Sequence, residues 1–310
     1  QIAQSGVTAD QLEKAVTASK DALAYGLNPS FDPRPIVGDD PANVSERAYG
    51  NRDVTGPDAG HGSHVAGIIG AVKQGDAGMD GVAASVRLMA VRAVPDGDER
   101  DKDVANAIRY AVDNGAQIIN MSFGKGHSPD KRAVDAAVKY AESRGVLLVH
   151  AAGNDGEDLA VSSNFPNATF ADGGRAANWI EVGASSWRGG DQLAASFSNY
   201  GKSQVDLFAP GEDILSAVPG GGYERNSGTS MAAPVVSGVA ALLMSYFPKL
   251  TAADVKRILL ETAARYPDAM VARPGGKGEQ VRFGDLSATG GVVDAYAAVR
   301  AALAKERNTP

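Results

Sequence analysis

Two rhythms of apolar residues run along the chain, and they change over near residue 60. In the first part, Leu12, Ala15, Val16, Ala22 and Leu23 recur at helical spacing behind Thr8-Ala9-Asp10-Gln11, which has the form of a capping box. This predicts an amphipathic helix over 9–25, ended by Gly26 and Pro29. Residues 28–60 are rich in Pro, Asp, Asn and Gly with no sustained period, and read as a long surface excursion in which Ile36-Val37 is all that is offered to a sheet. Beyond it, apolar strands and small-residue helices alternate. Helices are expected over 61–72, 101–114, 133–143, 229–247, 252–264 and 292–304. Strands are expected over 87–94, 117–122, 145–151, 179–184 and 205–209, with 214–218 as a further candidate. This alternation predicts an α/β fold: a doubly wound, mostly parallel sheet with helices on both faces. With no linker after residue 60, residues 1–60 are a helix and long loop insertion in the same domain as 61–310.

Composition narrows the function classes. A net charge of −7 without a long basic run argues against nucleic acid or an anionic membrane surface as partner. The apolar run 235–247 is interrupted by Ser237 and closed by Pro248, short of the roughly 20 residues of a membrane span, so no membrane insertion is expected. Cysteine is absent, which removes disulfide, thiolate-metal and thiol redox chemistry. The start Gln1-Ile2-Ala3-Gln4 has neither the basic nor the apolar region of a signal peptide.

In open α/β sheets, sites form outside the carboxyl ends of the strands. Chemistry-bearing residues should therefore cluster after strands or at helix starts. Four stretches fit: Gly60-His61-Gly62-Ser63-His64, Asn120-Met121-Ser122-Phe123-Gly124, Ala151-Ala152-Gly153-Asn154 and Gly228-Thr229-Ser230-Met231-Ala232-Ala233-Pro234. A hydroxyl at a helix N-terminus sits where free N–H groups favour developing negative charge, although a Gly-Thr-Ser stretch alone is more often a helix cap. A serine hydroxyl needs a nearby base, and histidine is the usual one. Of the four histidines, His127 lies in a polar loop and His150 inside an apolar strand, where a satisfied core imidazole is the plainer reading. His61 opens a helix facing the strand ends, and His64 lies one turn in, suited to packing. The pair is also spaced for metal ligation, but neither an intervening Glu nor a third ligand is evident. Asn154, in a glycine turn after a strand, can donate to an oxyanion; alone, it would read as an Asx turn.

Together, His-Gly-Ser-His-Val-Ala-Gly, Asn-Met-Ser-Phe-Gly, Ala-Ala-Gly-Asn and Gly-Thr-Ser-Met-Ala-Ala-Pro resemble the successive signatures of the subtilisin-like serine peptidases (peptidase family S8), over about residues 60–302. The resemblance implies His61 as general base and acid, Ser230 as nucleophile, and Asn154 with the Ser230 N–H as oxyanion donors. It implies that Ser122, Phe123 and Gly124 pair with an extended polypeptide and, with Ala151, Ala152 and Gly153, wall the first specificity pocket. These walls are small and apolar, so a sizeable apolar residue is expected before the cut. A monomer that is secreted or periplasmic is also implied. No cofactor is expected, and Gln74-Gly75-Asp76-Ala77-Gly78-Met79-Asp80-Gly81 reads as a plain glycine loop more than as a structural calcium site.

The family's aspartate, which precedes the histidine at the end of an apolar strand, has no counterpart here. Asp53 and Asp58 lie too near His61, and Asp39 and Asp40 follow only Ile36-Val37-Gly38. The expectation is that the acid's strand lies upstream of Gln1, with Asp39 or Asp40 as a substitute acid being the lesser alternative. Loss of that acid in members of this family costs on the order of 10⁴-fold in turnover. The alternatives to a peptidase are therefore a nearly inert fragment, an inactive peptide-binding relative, or an esterase or amidase of small molecules.

Overall fold

The computed structural model describes residues 9–73, 78–95, 97 and 99–307. Helix α1 (Ala9–Asp21) is shorter than expected and runs into a π-helical turn, Ala22–Gly26. Its apolar positions Leu12 and Val16 are exposed. The expected cap residue Thr8 lies outside the described residues. A single turn, α2 (Arg34–Val37), follows inside the excursion, and then α3 (Gly60–Gly70).

The excursion is held to helix α4 (Asp101–Asp113) by buried charge. Lys102 Nζ bonds Asp39 Oδ2 (2.8 Å), Glu46 Oε2 (3.0 Å) and the Asp40 carbonyl (2.6 Å). Arg34 bonds the other Asp39 oxygen at 3.0 Å, and the Tyr49 hydroxyl donates to Asp103 at 2.6 Å. Burial opposes the charged Asp39, but the Lys102 and Arg34 bonds outweigh it and hold the carboxyl below its ordinary range.

The main sheet has the order β1-β2-β3-β4-β10-β7. Its parallel part comprises β1 (Ile118–Met121), β2 (Leu147–Ala151), β3 (Trp179–Ser185), β4 (Leu207–Pro210) and β10 (Gly291–Val292). The short β7 (Ala264–Arg265) closes one edge antiparallel to β10. Two hairpins stand apart: β5 (Ile214–Val218) with β6 (Gly222–Asn226), and β8 (Met270–Ala272) with β9 (Gln280–Arg282).

Strand alternation sorts side chains to two faces. Leu148, Trp179 and Met121 point toward α4 and α5 (Lys131–Ser143). Leu147, Val149, Ile180, Val182 and Leu207 point toward α6 (Thr229–Tyr246), α7 (Ala252–Glu261) and α8 (Ala295–Arg307). Helix α6 is by length and composition the one described helix able to cross a membrane, and here 61% of its apolar window is buried inside the protein.

One expected strand does not form: among the described residues the backbone of 87–94 pairs with no strand, and Leu88 and Met89 are 50% and 42% exposed. The alternation that predicts this strand is present, but a strand needs backbone partners. Among the described residues, β1 pairs only with β2 and is one edge of the main sheet.

Candidate functional site

The site residues gather around the first turn of α6. The N-cap is Gly228, with no side-chain cap, so neither Thr229 nor Ser230 serves as the helix cap considered above. Ser230 N–H is among the first four amides of the helix and has no intrahelical acceptor. Four residues on, Pro234 lacks the N–H that would have met the Ser230 carbonyl. Ser122 Oγ takes that place, donating to Ser230 O at 2.8 Å. In return, Ser230 Oγ donates to Ser122 O at 3.1 Å.

Ser122 is itself held from behind. Ser237 Oγ, two turns into α6, donates to Asn120 Oδ1 (2.9 Å), and Asn120 Nδ2 donates to Ser122 Oγ (2.9 Å). The donors therefore all run one way, Ser237 to Asn120 to Ser122 to the Ser230 carbonyl. Each member uses the hydrogen it has.

Asn154 is fixed by its oxygen. Its Oδ1 accepts from Thr229 N (2.8 Å) and from Thr229 Oγ1 (2.9 Å), and Thr229 Oγ1 accepts from Gly153 N at 3.1 Å. These bonds assign the carboxamide orientation and leave the Nδ2 hydrogens as the available donors, beside Gly228. Gly153 turns at φ 104°, and a Cβ there would stand 2.3 Å from Asn199 Nδ2, so the position tolerates only glycine.

The stretches 122–124 and 151–153 come together through Asn164. Its Nδ2 donates to Ala151 O at 3.0 Å, while a Cβ on Gly124 would stand 2.2 Å from Asn164 Oδ1. A polar carboxamide thus lies between walls that by sequence are small and apolar.

His61 is exposed in the first turn of α3, which packs against α6 and β5. Partial shielding from water, and then repulsion from His64, hold its pKa below the ordinary value near 6.5, with Asp58 acting in the opposite sense. His64 is fully buried, its Nε2 3.1 Å from the Glu224 carbonyl, in keeping with a packing role. His127 is exposed. Among the described residues, no hydrogen bond joins His61 to Ser230 or to a carboxylate.

The candidate acids are all engaged elsewhere. Asp39 belongs to the buried Lys102 and Arg34 cluster, and Asp40 accepts from Ala42 N at 2.9 Å. Asp58 Oδ1 accepts from Gly60 N at 2.7 Å. Asp53 is held down to about 2 by the Gly56 and Thr55 hydrogen bonds of its own turn, with Arg92 adding to the effect. The loop considered for calcium falls partly on residues outside the described ones. No group of three or more His, Asp or Glu that could hold a metal is found among the described residues.

Sequence reading missed the roles of Thr229, Asn164, Pro234 and Ser237. Asn120-Ser122 and Gly228-Thr229-Ser230 were visible as stretches, but their links span 108 residues (Ser122 to Ser230) and 75 (Asn154 to Thr229). Only the proline carried a local signal, since a proline in a helix always frees the carbonyl four residues before it.

The Subtilase family model, Peptidase_S8, matches residues 18–278. The thermophilic serine proteinase of Bacillus sp. (strain AK1) is 44% identical over 186 residues, 60% of this chain and 42% of that protein. Subtilisin BL of Lederbergia lenta is 39% identical over 206 residues, 66% of this chain and 70% of that one. The chain spans less than half the length of the first of these relatives, and 21% of the cell wall-associated protease of Bacillus subtilis (strain 168). Among solved structures, the patellamide maturation protease PatA superposes with a TM-score of 0.60 at 33% identity, covering 79% of this chain and 84% of that one. A cold adapted subtilisin-like serine proteinase gives 0.57 at 36%, covering 72% and 74%.

Proposed function

The chain belongs to the subtilase family, and we propose that it is a serine endopeptidase that cleaves peptide bonds through an acyl-enzyme at Ser230. The observation that carries this reading is the reciprocal tie between Ser122 and Ser230 beside an Asn154 whose oxygen is already occupied. It holds the hydroxyl at the helix start and leaves the Asn154 Nδ2 hydrogens as donors beside Gly228. The hydroxyl turns from the Ser122 carbonyl to His61, which takes its proton as it attacks the peptide carbonyl. The Asn154 Nδ2 and Ser230 N–H groups then receive the oxyanion, and His61 returns the proton to the leaving amine. Water repeats the sequence in reverse to release the acid product. A depressed His61 pKa keeps the imidazole neutral, the form that can accept a proton.

The acid that orients His61 is supplied by a further strand added to the edge of β1. Without that strand, slow chemistry is expected. One relative, named as a cell wall-associated protease, supports an extracytoplasmic location. The substrate is a polypeptide with an uncharged side chain before the cut, since no charged residue lies among 122–124, 151–153 and Asn164. Profiling with a peptide library, with Ser230→Ala as control, tests this. Cleavage after uncharged residues that is lost in the control is expected. Cleavage dominated by acidic or basic residues, or retained in the control, would sink the reading.

A further inference from the structure

Residues 122–125 are tied to the protein at every position but one. Ser122 bonds Ser230 in both directions, and Lys125 N and O pair with Phe165 O and N at 3.0 and 2.8 Å. The carbonyl of Phe123 accepts from His150 Nε2 at 2.8 Å. Only Gly124, exposed, has both backbone groups without a protein partner among the described residues.

His150 is fully buried and lies directly across from Glu181 on the neighbouring strand. Its Nδ1 is 2.8 Å from Glu181 Oε1, and Trp179 Nε1 donates to Glu181 Oε2 at 2.7 Å. A carbonyl oxygen only accepts, so Nε2 must carry a hydrogen. One more proton lies between Nδ1 and Oε1, and either residue can hold it with every bond intact. This is the only pairing of a histidine with a carboxylate among the described residues. It cannot substitute for the His61 pair, because its outward nitrogen is already engaged by a backbone oxygen.

We propose that His150, backed by Glu181 and Trp179, is a positioning residue that holds the Phe123 carbonyl inward and so presents Gly124 to an extended polypeptide. The carbonyls of Ser122 and Phe123 reach opposite partners, Ser230 and His150, as successive units of an extended segment do. Fixing the middle unit therefore fixes the direction of both neighbours. Binding of the substrate residues upstream of the cut depends on this tie, whereas attack by Ser230 on a small acyl or phosphonyl group does not. The inference rests on the peptidase reading above.

The test compares two phosphonate esters that modify Ser230, one carrying a single amino acid and one a tetrapeptide, by the rate of adduct formation read by mass spectrometry. His150→Phe keeps the ring volume but donates nothing, and is expected to lower the tetrapeptide-to-single-residue rate ratio about tenfold, the effect of one buried hydrogen bond. His150→Gln restores a donor and is expected to recover most of the ratio. If His150→Phe fails to fold, Trp179→Phe, which removes the bond behind Glu181 together with part of the ring packed against His150, should shift the ratio the same way by a smaller factor. An unchanged ratio in a folded variant, an equal fall for both reagents, or no recovery in His150→Gln would overturn the proposal while leaving the peptidase reading standing. Failure to react with either reagent, in the unaltered chain and in the same chain carrying an added upstream strand that ends in aspartate, would overturn both.

Discussion

At the scale of single residues, the position of Ser230 is set by a proline that cannot donate. Pro234 frees the Ser230 carbonyl, and Ser122 satisfies it. Ser122→Ala should leave that partly buried acceptor without its partner, at a cost of about 1 kcal/mol. It should also slow modification of Ser230 by about tenfold. A urea midpoint and a labelling time course measure the two effects, and loss of stability without loss of rate would show that the tie does not serve the hydroxyl. His61 sets the pH dependence. Its pKa is lowered in the folded chain, so the neutral base persists below pH 6.5, and the acid limb of Ser230 modification should fall below that value. The sign for stability is the same: the unfolded chain binds the proton more tightly, so His61 reduces stability as pH falls through the unfolded value. An acid limb above 6.5 in this chain would mean that a carboxylate already faces His61.

At the scale of elements, the excursion 28–60 is an ordered part of the protein because its charges meet those of α4. The sequence shows it as polar and aperiodic, and nothing local links Asp39 to Lys102, which lies 63 residues on. With the Asp39 side chain fully buried and Lys102 at 6%, removing the Asp39 charge leaves Lys102 held by Glu46 and Arg34 by Asp103. Asp39→Asn should weaken docking of the segment by about 2 kcal/mol, the loss of hydrogen bonds to a charged group. Limited proteolysis at neutral pH should then cut within 28–60 sooner than in the unaltered chain, and unchanged cutting would contradict the assignment. Because the Asp39 pKa is lowered, its contribution is present above the unfolded value near 3.9 and is lost as pH falls through the lower folded one.

Elements with clear periodicity were largely legible: β1 to β4 and α3 to α8 fall within a few residues of their periodic patterns. The segment 87–94 was misread for a physical reason. Its alternation is that of a strand, but the pairing that would make it one is missing, so Leu88 and Met89 remain half exposed. The four site stretches were legible as stretches, whereas the hydrogen bonds that connect them depend on contacts across the sheet. Asn164 illustrates the limit, since a lone asparagine in a loop gives no sign that it will lie between Gly124 and Ala151.

At the scale of the whole molecule, β1 and β7 are the two edges of the main sheet among the described residues. The proposed peptidase reading puts one further strand at the β1 edge as the source of the acid. Such a strand would pair with the edge of β1 and bring a carboxylate to His61. The decisive measurement is therefore fluorophosphonate labelling, with the modified residue located by mass spectrometry, in this chain and in the same chain carrying an added upstream strand that ends in aspartate. The account predicts slow adduct formation at Ser230 in the first and a rise of up to about 10⁴-fold in the second, abolished by Ser230→Ala. An adduct at another residue, or none at Ser230 in the strand-completed chain, would contradict it.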